Sequence, residues 1–503
     1  MVGAITGSNS AALYQAWLTG NRTVSGQGGG APAAPDATVL LSWQALANAD
    51  MPTTLPTDIA KLSTDAIAAL HADVISSLTP SQVAAFTTAQ ISSLSTTQVQ
   101  ALPATGIGAL NGRQALAIST DGIALLSGVQ ISGFTASSFG SLSTDQIQAI
   151  STDQISGIST RQLQALTSAQ ARALKTAQID SITAQQISAI PVTAITALST
   201  GQIVALGTDS VSALSFKQSS SLTTEQVMAL TTQEISVLSS QTLAYLKTPQ
   251  VAALTTRQIN ALSTSQIIGL SGAALLTLSS DQIQAIKTDA VSALKASQVT
   301  QFGSQQINAL ATSQVAALTT AQAIVLKATA LSALSTAQLA SLSTGDVAAL
   351  TLRQVIAFTT TQLAGLTSAA VTALGAAQLS SFSTDQVVAL GSTALSELST
   401  DQILGLSAAG FGALTTDQIK AISTQDFAAV SFRQLQALTT AQIPVISTAQ
   451  ITTLNAGQLN VLTSAQTNAL TAGQVSSLTS GQITGLTVGV INSCHVPHDC
   501  AVI

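Results

Sequence analysis

The sequence predicts an all-α solenoid, a superhelix of short capped helical turns with one turn per eight-residue repeat. Three observations carry that expectation: an apolar column recurring every eight residues without a gap, a second apolar column five residues after the first, and a helix-start signal inside each unit.

The first column begins at Leu62 and runs through Leu142 and Leu310 to Leu486; steps of eight define 54 positions, and every one is apolar. The second begins Ile67, Ile75, Val83, Ile91, Val99, and only Ser219 and Thr467 are polar in it. The idealised octad is Leu-Ser/Thr-Thr-x-Gln-Ile/Val-x-Ala, and LSTDQIQA at 142–149 nearly matches it. Free loops tolerate insertions. An array that neither gains nor loses a residue has no free loops, so each octad must contact its neighbours in fixed register, as in a solenoid.

Ser or Thr at position 2 with Gln at position 5 forms a capping box, which satisfies two backbone donors at a helix start. Thr79-Pro80 puts a proline at the first helical position, where a missing N–H costs nothing. The apolar residues at position 6 and at the next position 1 are three apart, on one helical face. Position 8 is usually Ala, Ser or Gly, which allows close approach. The alternative is a β-solenoid, since Thr, Ile and Val also favour strands. A single continuous helix is excluded: eight residues at about 100° each overshoot two turns by about 80°, so the column would spiral around the surface. The helix must break once per octad. Such short helices are unstable alone, and stability must come from stacked coils of two or three octads each.

The flanks differ. Residues 1–25 contain Tyr14 and Trp17 in a short amphipathic stretch. Residues 26–36, rich in Gly, Pro and Ala, read as a flexible linker. Residues 37–61 include Trp43 in an imperfect octad and read as an N-terminal cap for the 62–486 array; a docking arm into a neighbouring molecule is the alternative. The tail, 487–503, holds both cysteines of the chain, Cys494 and Cys500, with His495, His498 and Asp499. A Cys494–Cys500 disulfide is the simplest reading and fits an oxidising compartment. A metal site is the lesser alternative, because the spacing matches no standard zinc motif. An unbonded or intermolecular state is a third.

Composition narrows function. Only 7% of the 503 residues are charged, against about 25% in ordinary globular proteins. The 46% apolar fraction is ample for a core. Net charge is −6 with no basic patch, so phosphate neutralisation, and with it nucleic acid, is set aside. No run of 18 apolar residues is present, so no transmembrane segment is expected. The N-terminus shows no conventional signal peptide. No cofactor-binding fingerprint appears. His71 stands alone at position 2, where it substitutes for a capping Ser or Thr. Asp65, Asp73, Asp121, Asp145, Asp153, Asp209 and Glu225 occupy position 4, where an acid meets the positive end of the helix dipole; calcium binding is the lesser reading, for want of an Asp-rich loop with Gly spacing. The Gln column at position 5 has two readings, capping and a ladder of bonds along the stack, which are compatible.

Leu78-Thr-Pro-Ser-Gln-Val-Ala-Ala85 resembles the opening of the DNA-binding repeats of TAL effectors. The resemblance covers eight or nine residues of a 34-residue module and implies a helix start there, with nothing about DNA, because the base-reading loop and basic residues have no counterpart. Over 62–486 the chain also resembles long Ser/Thr/Ala/Gln-rich repeat proteins of proteobacteria described as surface or adhesin-like, a compositional likeness that implies an extracellular bacterial protein. The expectation is a non-enzymatic structural protein without cofactors. It would be a rigid extracellular or cell-surface rod that self-assembles as a homo-oligomer or polymer into a filament or layer. A stalk or binding module for carbohydrate, a surface or ice is the alternative.

Overall fold

The computed structural model describes residues 59–487. They contain 52 α-helices of four to six residues and two 3-10 helices, with no strand among the described residues. The helical expectation is realised and the β-solenoid alternative is not. The described chain divides into two compact units, one ending at Leu246 and the other beginning at Lys247, and each is built in the same way.

The ideal octad shows why a helix starts and stops every eight residues. Ser143 is extended (φ −70°, ψ 162°) and its Oγ accepts from the Gln146 backbone N–H at 3.1 Å, while Gln146 Oε1 accepts from the Ser143 N–H at 2.8 Å. That reciprocal pair starts helix Thr144–Ala149. The helix ends at Ile150, which is extended (φ −62°, ψ 125°), and Ser151 extends again (φ −74°, ψ 162°) as the next cap. Two consecutive extended residues turn the corner. Where the sequence interrupts the pattern, the helix changes in kind: Pro444 has no N–H to give the preceding turn, and the octad from Leu438 forms the 3-10 helix Ile443–Val445.

Each helix packs on the one three octads later. In the first unit Thr120–Leu125 packs on Thr144–Ala149, and that on Ser168–Ala173; in the second, Ala408–Gly412 packs on Phe432–Ala437. Three octads therefore make one coil. Both apolar columns point inward. Leu62, Leu142 and Leu310 are 4%, 4% and 3% exposed, and the second-column residues of their octads, Ile67, Ile147 and Val315, are buried with them. Leu486 departs from the expected core column: it is partly exposed, as are Leu470 and Leu478, because no described coil packs beyond this last one.

Position 8 is small because it abuts position 3 of the coil beneath, 29 residues back. A Cβ on Gly157 would collide with the Gly128 main chain. Where both positions are aromatic they swing outward together: Tyr245 stacks on Phe216 with ring centroids 4.9 Å apart, and both are half-exposed.

Candidate functional site

The repeating polar feature of the interior is the position-5 glutamine. Its side chain is buried in octad after octad, including Gln98, Gln146, Gln162, Gln434 and Gln466. A buried primary amide carries four hydrogen-bonding sites that must find partners. Gln146 shows where they go. Oε1 serves its own octad by accepting from Ser143, and Nε2 donates downward, to Ile118 O at 2.7 Å, Ala115 O at 3.0 Å and Leu116 O at 3.3 Å. Those three carbonyls end helix Gly112–Leu116 and its corner in the coil beneath. The last carbonyls of any helix lack intrahelical donors; here the glutamine of the next coil supplies one. The same spacing, 28 and 31 residues back, recurs at Gln178, Gln226, Gln322, Gln354 and Gln450. The capping and ladder readings both hold, and one side chain does both.

Substitutions at position 5 follow the same chemistry. Ser210 Oγ still donates to Ile182 O at 3.0 Å. Asp346 and Asp426 cannot donate when ionised, and instead accept from Thr320 Oγ1 at 2.8 Å and Thr400 Oγ1 at 2.6 Å in the coil beneath. Glu234 accepts from the Thr231 N–H at 2.7 Å. Twenty-eight residues before it lies Leu206, whose ψ is −31° and whose successor Gly207 has φ +68°. Compared with Ile150 and Ser151, that peptide plane is turned over, so the Leu206 carbonyl no longer takes the direction of the next coil's position-5 side chain. The second turned junction is Leu390–Gly391, with φ +77° at Gly391. Glycine at position 2 alone is not enough. Gly303 and Gly375 keep negative φ because Gln306 and Gln378 accept from their N–H groups, at 3.2 and 2.6 Å. Octads 206–213 and 390–397 have no such glutamine.

The outer surface is made of positions 2, 3, 4 and 7. His71 caps helix Ala72–Ser76, its Nδ1 3.4 Å from the Asp73 backbone N and 3.1 Å from Asp73 Oδ2. Asp65, Asp73, Asp121, Asp145, Asp153, Asp209 and Glu225 lie in first helical turns, as expected. Among the described residues no group of three His, Cys, Asp or Glu side chains converges to hold a metal ion, and no helix is long and apolar enough to cross a membrane. The tail cluster Cys494, His495, His498, Asp499 and Cys500 lies outside the described residues, as do Tyr14, Trp17 and Trp43.

The structure adds surface residues that column-reading passes over. Val129, Phe216, Met228, Tyr245, Leu352 and Phe432 are large, apolar and about half or more exposed. Their signal was in the octad count: each is apolar at position 3, 4, 7 or 8, where the consensus is polar or small.

The ALTTAQ repeat family model matches the chain at residues 235–272, 355–392 and 419–456. The three matches share one register, beginning at the second-column residues Ile235, Val355 and Ile419. The hexapeptide itself stands at 317–322 and 437–442, spanning position 8 of one octad to position 5 of the next. No curated protein matches the chain.

Proposed function

We propose that the protein is structural rather than catalytic: a rigid extracellular or cell-surface rod whose copies assemble into a filament or layer. The observation that supports this reading most is the inter-coil glutamine ladder. It commits the polar groups of the interior to holding one coil to the next, and so to mechanical continuity. What remains outside is a hydroxyl-rich surface of low charge, with apolar side chains such as Val129, Leu352 and Phe432 exposed among the Ser and Thr. Low net charge removes repulsion between copies, and exposed apolar residues give them something to bury. Negative-stain images of the purified protein, paired with sedimentation over a wide concentration range, test the proposal. Filaments or sheets that grow with concentration are expected; isolated monomers at every concentration would overturn the assembly reading.

A second reading is a stalk or binding module that presents regular Ser/Thr rows to carbohydrate, a surface or ice. The exposed hydroxyls at position 3, Thr152 and Thr224 among them, favour it. Binding to an immobilised glycan or to growing ice by a protein that stays monomeric would select this reading over the first.

A further inference from the structure

We infer that the Asn111–Gly112 junction is a site of self-modification, where the asparagine amide is lost to water and the main chain is rerouted through the side chain in part of the product. It is the single Asn–Gly step in the 503 residues. Asn111 stands at position 2 and caps helix Gly112–Leu116: its Oδ1 accepts from the Arg113 N–H at 3.0 Å and the Gln114 N–H at 3.1 Å. Those two donors draw electron density from the amide carbon. Asn111 is exposed and Gly112 partly so. The Gly112 N–H opens the helix, where no intrahelical acceptor exists, and it makes no hydrogen bond among the described residues. Glycine has no Cβ to shield that nitrogen, and none fits here, since one would collide with Ser141 in the next coil. The extended cap (φ −79°, ψ 171°) is the brake. Attack on the side chain needs the cap bonds released and ψ rotated, so the reaction runs through local opening of this helix start.

Water is the only co-reactant. The Gly112 nitrogen gives up its proton and bonds to Asn111 Cγ; the Cγ–Nδ2 bond breaks, and ammonia leaves with that proton. Water then opens the cyclic imide at either carbonyl, with no change of oxidation state. Opening at Cγ gives Asp on an unaltered main chain. Opening at the main-chain carbonyl gives isoaspartate, whose main chain runs through Cβ and Cγ and is one carbon longer. The two products differ in what they do to the coil. Asp caps a helix as well as Asn does, and its charge meets the positive end of the helix. Isoaspartate lengthens an octad held in fixed register. Leu110 and Ala115 are buried, Gln114 Nε2 donates to Phe86 O at 2.6 Å in the coil beneath, and Gln146 of the coil above reaches Ile118 O at 2.7 Å. Asn455 supplies the contrast. It caps helix Ala456–Asn460 in the same way, its Oδ1 2.9 Å from the Gln458 backbone N, but its successor Ala456 carries a Cβ.

The test ages the full chain in warm, mildly alkaline buffer. Peptide mass spectrometry then counts amide converted to acid at 111 and at 455, and an isoaspartate-specific methyl-transfer assay counts the rerouted product. Asn111 should convert at least about tenfold faster than Asn455, whose successor's Cβ hinders attack. Hydrogen exchange at 110–118 should quicken in the aged chain in proportion to its isoaspartate, and stay unchanged in Asn111→Asp made directly. Asn111→Ser, which restores the usual cap, should show neither change on ageing. An Asn111 that stays intact in the folded chain while converting in urea would overturn the inference, because the cap would then hold the junction shut. Equal rates at 111 and 455 would also overturn it. Isoaspartate that leaves exchange at 110–118 unaltered would overturn the expected damage to the coil.

Discussion

The side-chain amide of Gln434 lies 2.8 Å from the carbonyl oxygen of Ile403 and 2.9 Å from that of Leu406, while its Oε1 accepts from the Ser431 N–H at 3.0 Å. One buried side chain thus ties the start of helix Phe432–Ala437 to the end of helix Thr400–Gly405, across two coils. Removing it takes a donor from two carbonyls on one side and an acceptor from the capping N–H on the other. Gln434→Ala should therefore destabilise its unit by about 2 kcal/mol. Gln434→Glu should cost more, about 3 kcal/mol or above, because a carboxylate faces carbonyls it cannot pair with. Urea unfolding followed by circular dichroism reads both; equal costs, or costs under about half a kcal/mol, would show that the ladder contributes little.

The cap at the same helix is a smaller term. Ser431→Ala removes the Oγ that accepts from the Gln434 N–H at 3.3 Å, and should cost about 1 kcal/mol. Ser431→Asn should restore most of it, because Asn at the same position already caps helix Gly112–Leu116. Thermal melts of the two variants check the order; an Asn variant no more stable than the Ala one would show that the cap bond is not what Ser431 supplies.

Leu310 is 3% exposed in the first column. Leu310→Asp places an unpaired charge there and should cost several kcal/mol, about 4 or more. Calorimetry of the variant should show a lowered transition; an unshifted one would place the side chain in solvent.

The coil sets the order of deletion damage. Removing residue Ala309 alone shifts every later side chain out of register with the preceding coils and breaks the 28-residue spacing of the glutamine bonds that span it, Gln314 to Ile286 and Gln322 to Leu294 among them. Removing 302–309 keeps both columns and moves later octads one face around the coil. Removing 302–325, a whole coil, keeps the faces as well. Thermal midpoints should fall in that order, with the single-residue deletion far the worst; equal damage from one and eight residues would contradict the octad as the unit.

Two glycines should respond in opposite directions to alanine. Gly207 has φ +68°, where a Cβ costs roughly 1–2 kcal/mol, so Gly207→Ala should destabilise. Gly201 lies in helix Thr200–Val204 at ordinary φ, and a Cβ there would meet only open space, so Gly201→Ala should stabilise by about 0.5–1 kcal/mol. Chemical denaturation of the pair gives the sign of each.

Much of this was legible in the chain before any coordinates. The octad, both columns, the capping box, the helix break in every unit and the helix class follow from interactions that close within eight residues. Ser143 and Gln146 are three apart, so their reciprocal bonds could be read from the sequence. The burial of Leu62, Leu142 and Leu310 was legible as well, since a column that never turns polar must face inward. The partial exposure of Leu486 was not, because it depends on what lies beyond the column and not on the residue itself.

Three octads per coil, the partner of each glutamine amide and the turned peptides at Gly207 and Gly391 were decided by the tertiary structure. The physical reason is that the rotation at each corner comes from the backbone angles of two extended residues, and small differences in those angles choose between two and three octads per turn. Only once three octads close a coil does Gln434 stand over Ile403, and only then does a local cap become a bond between coils.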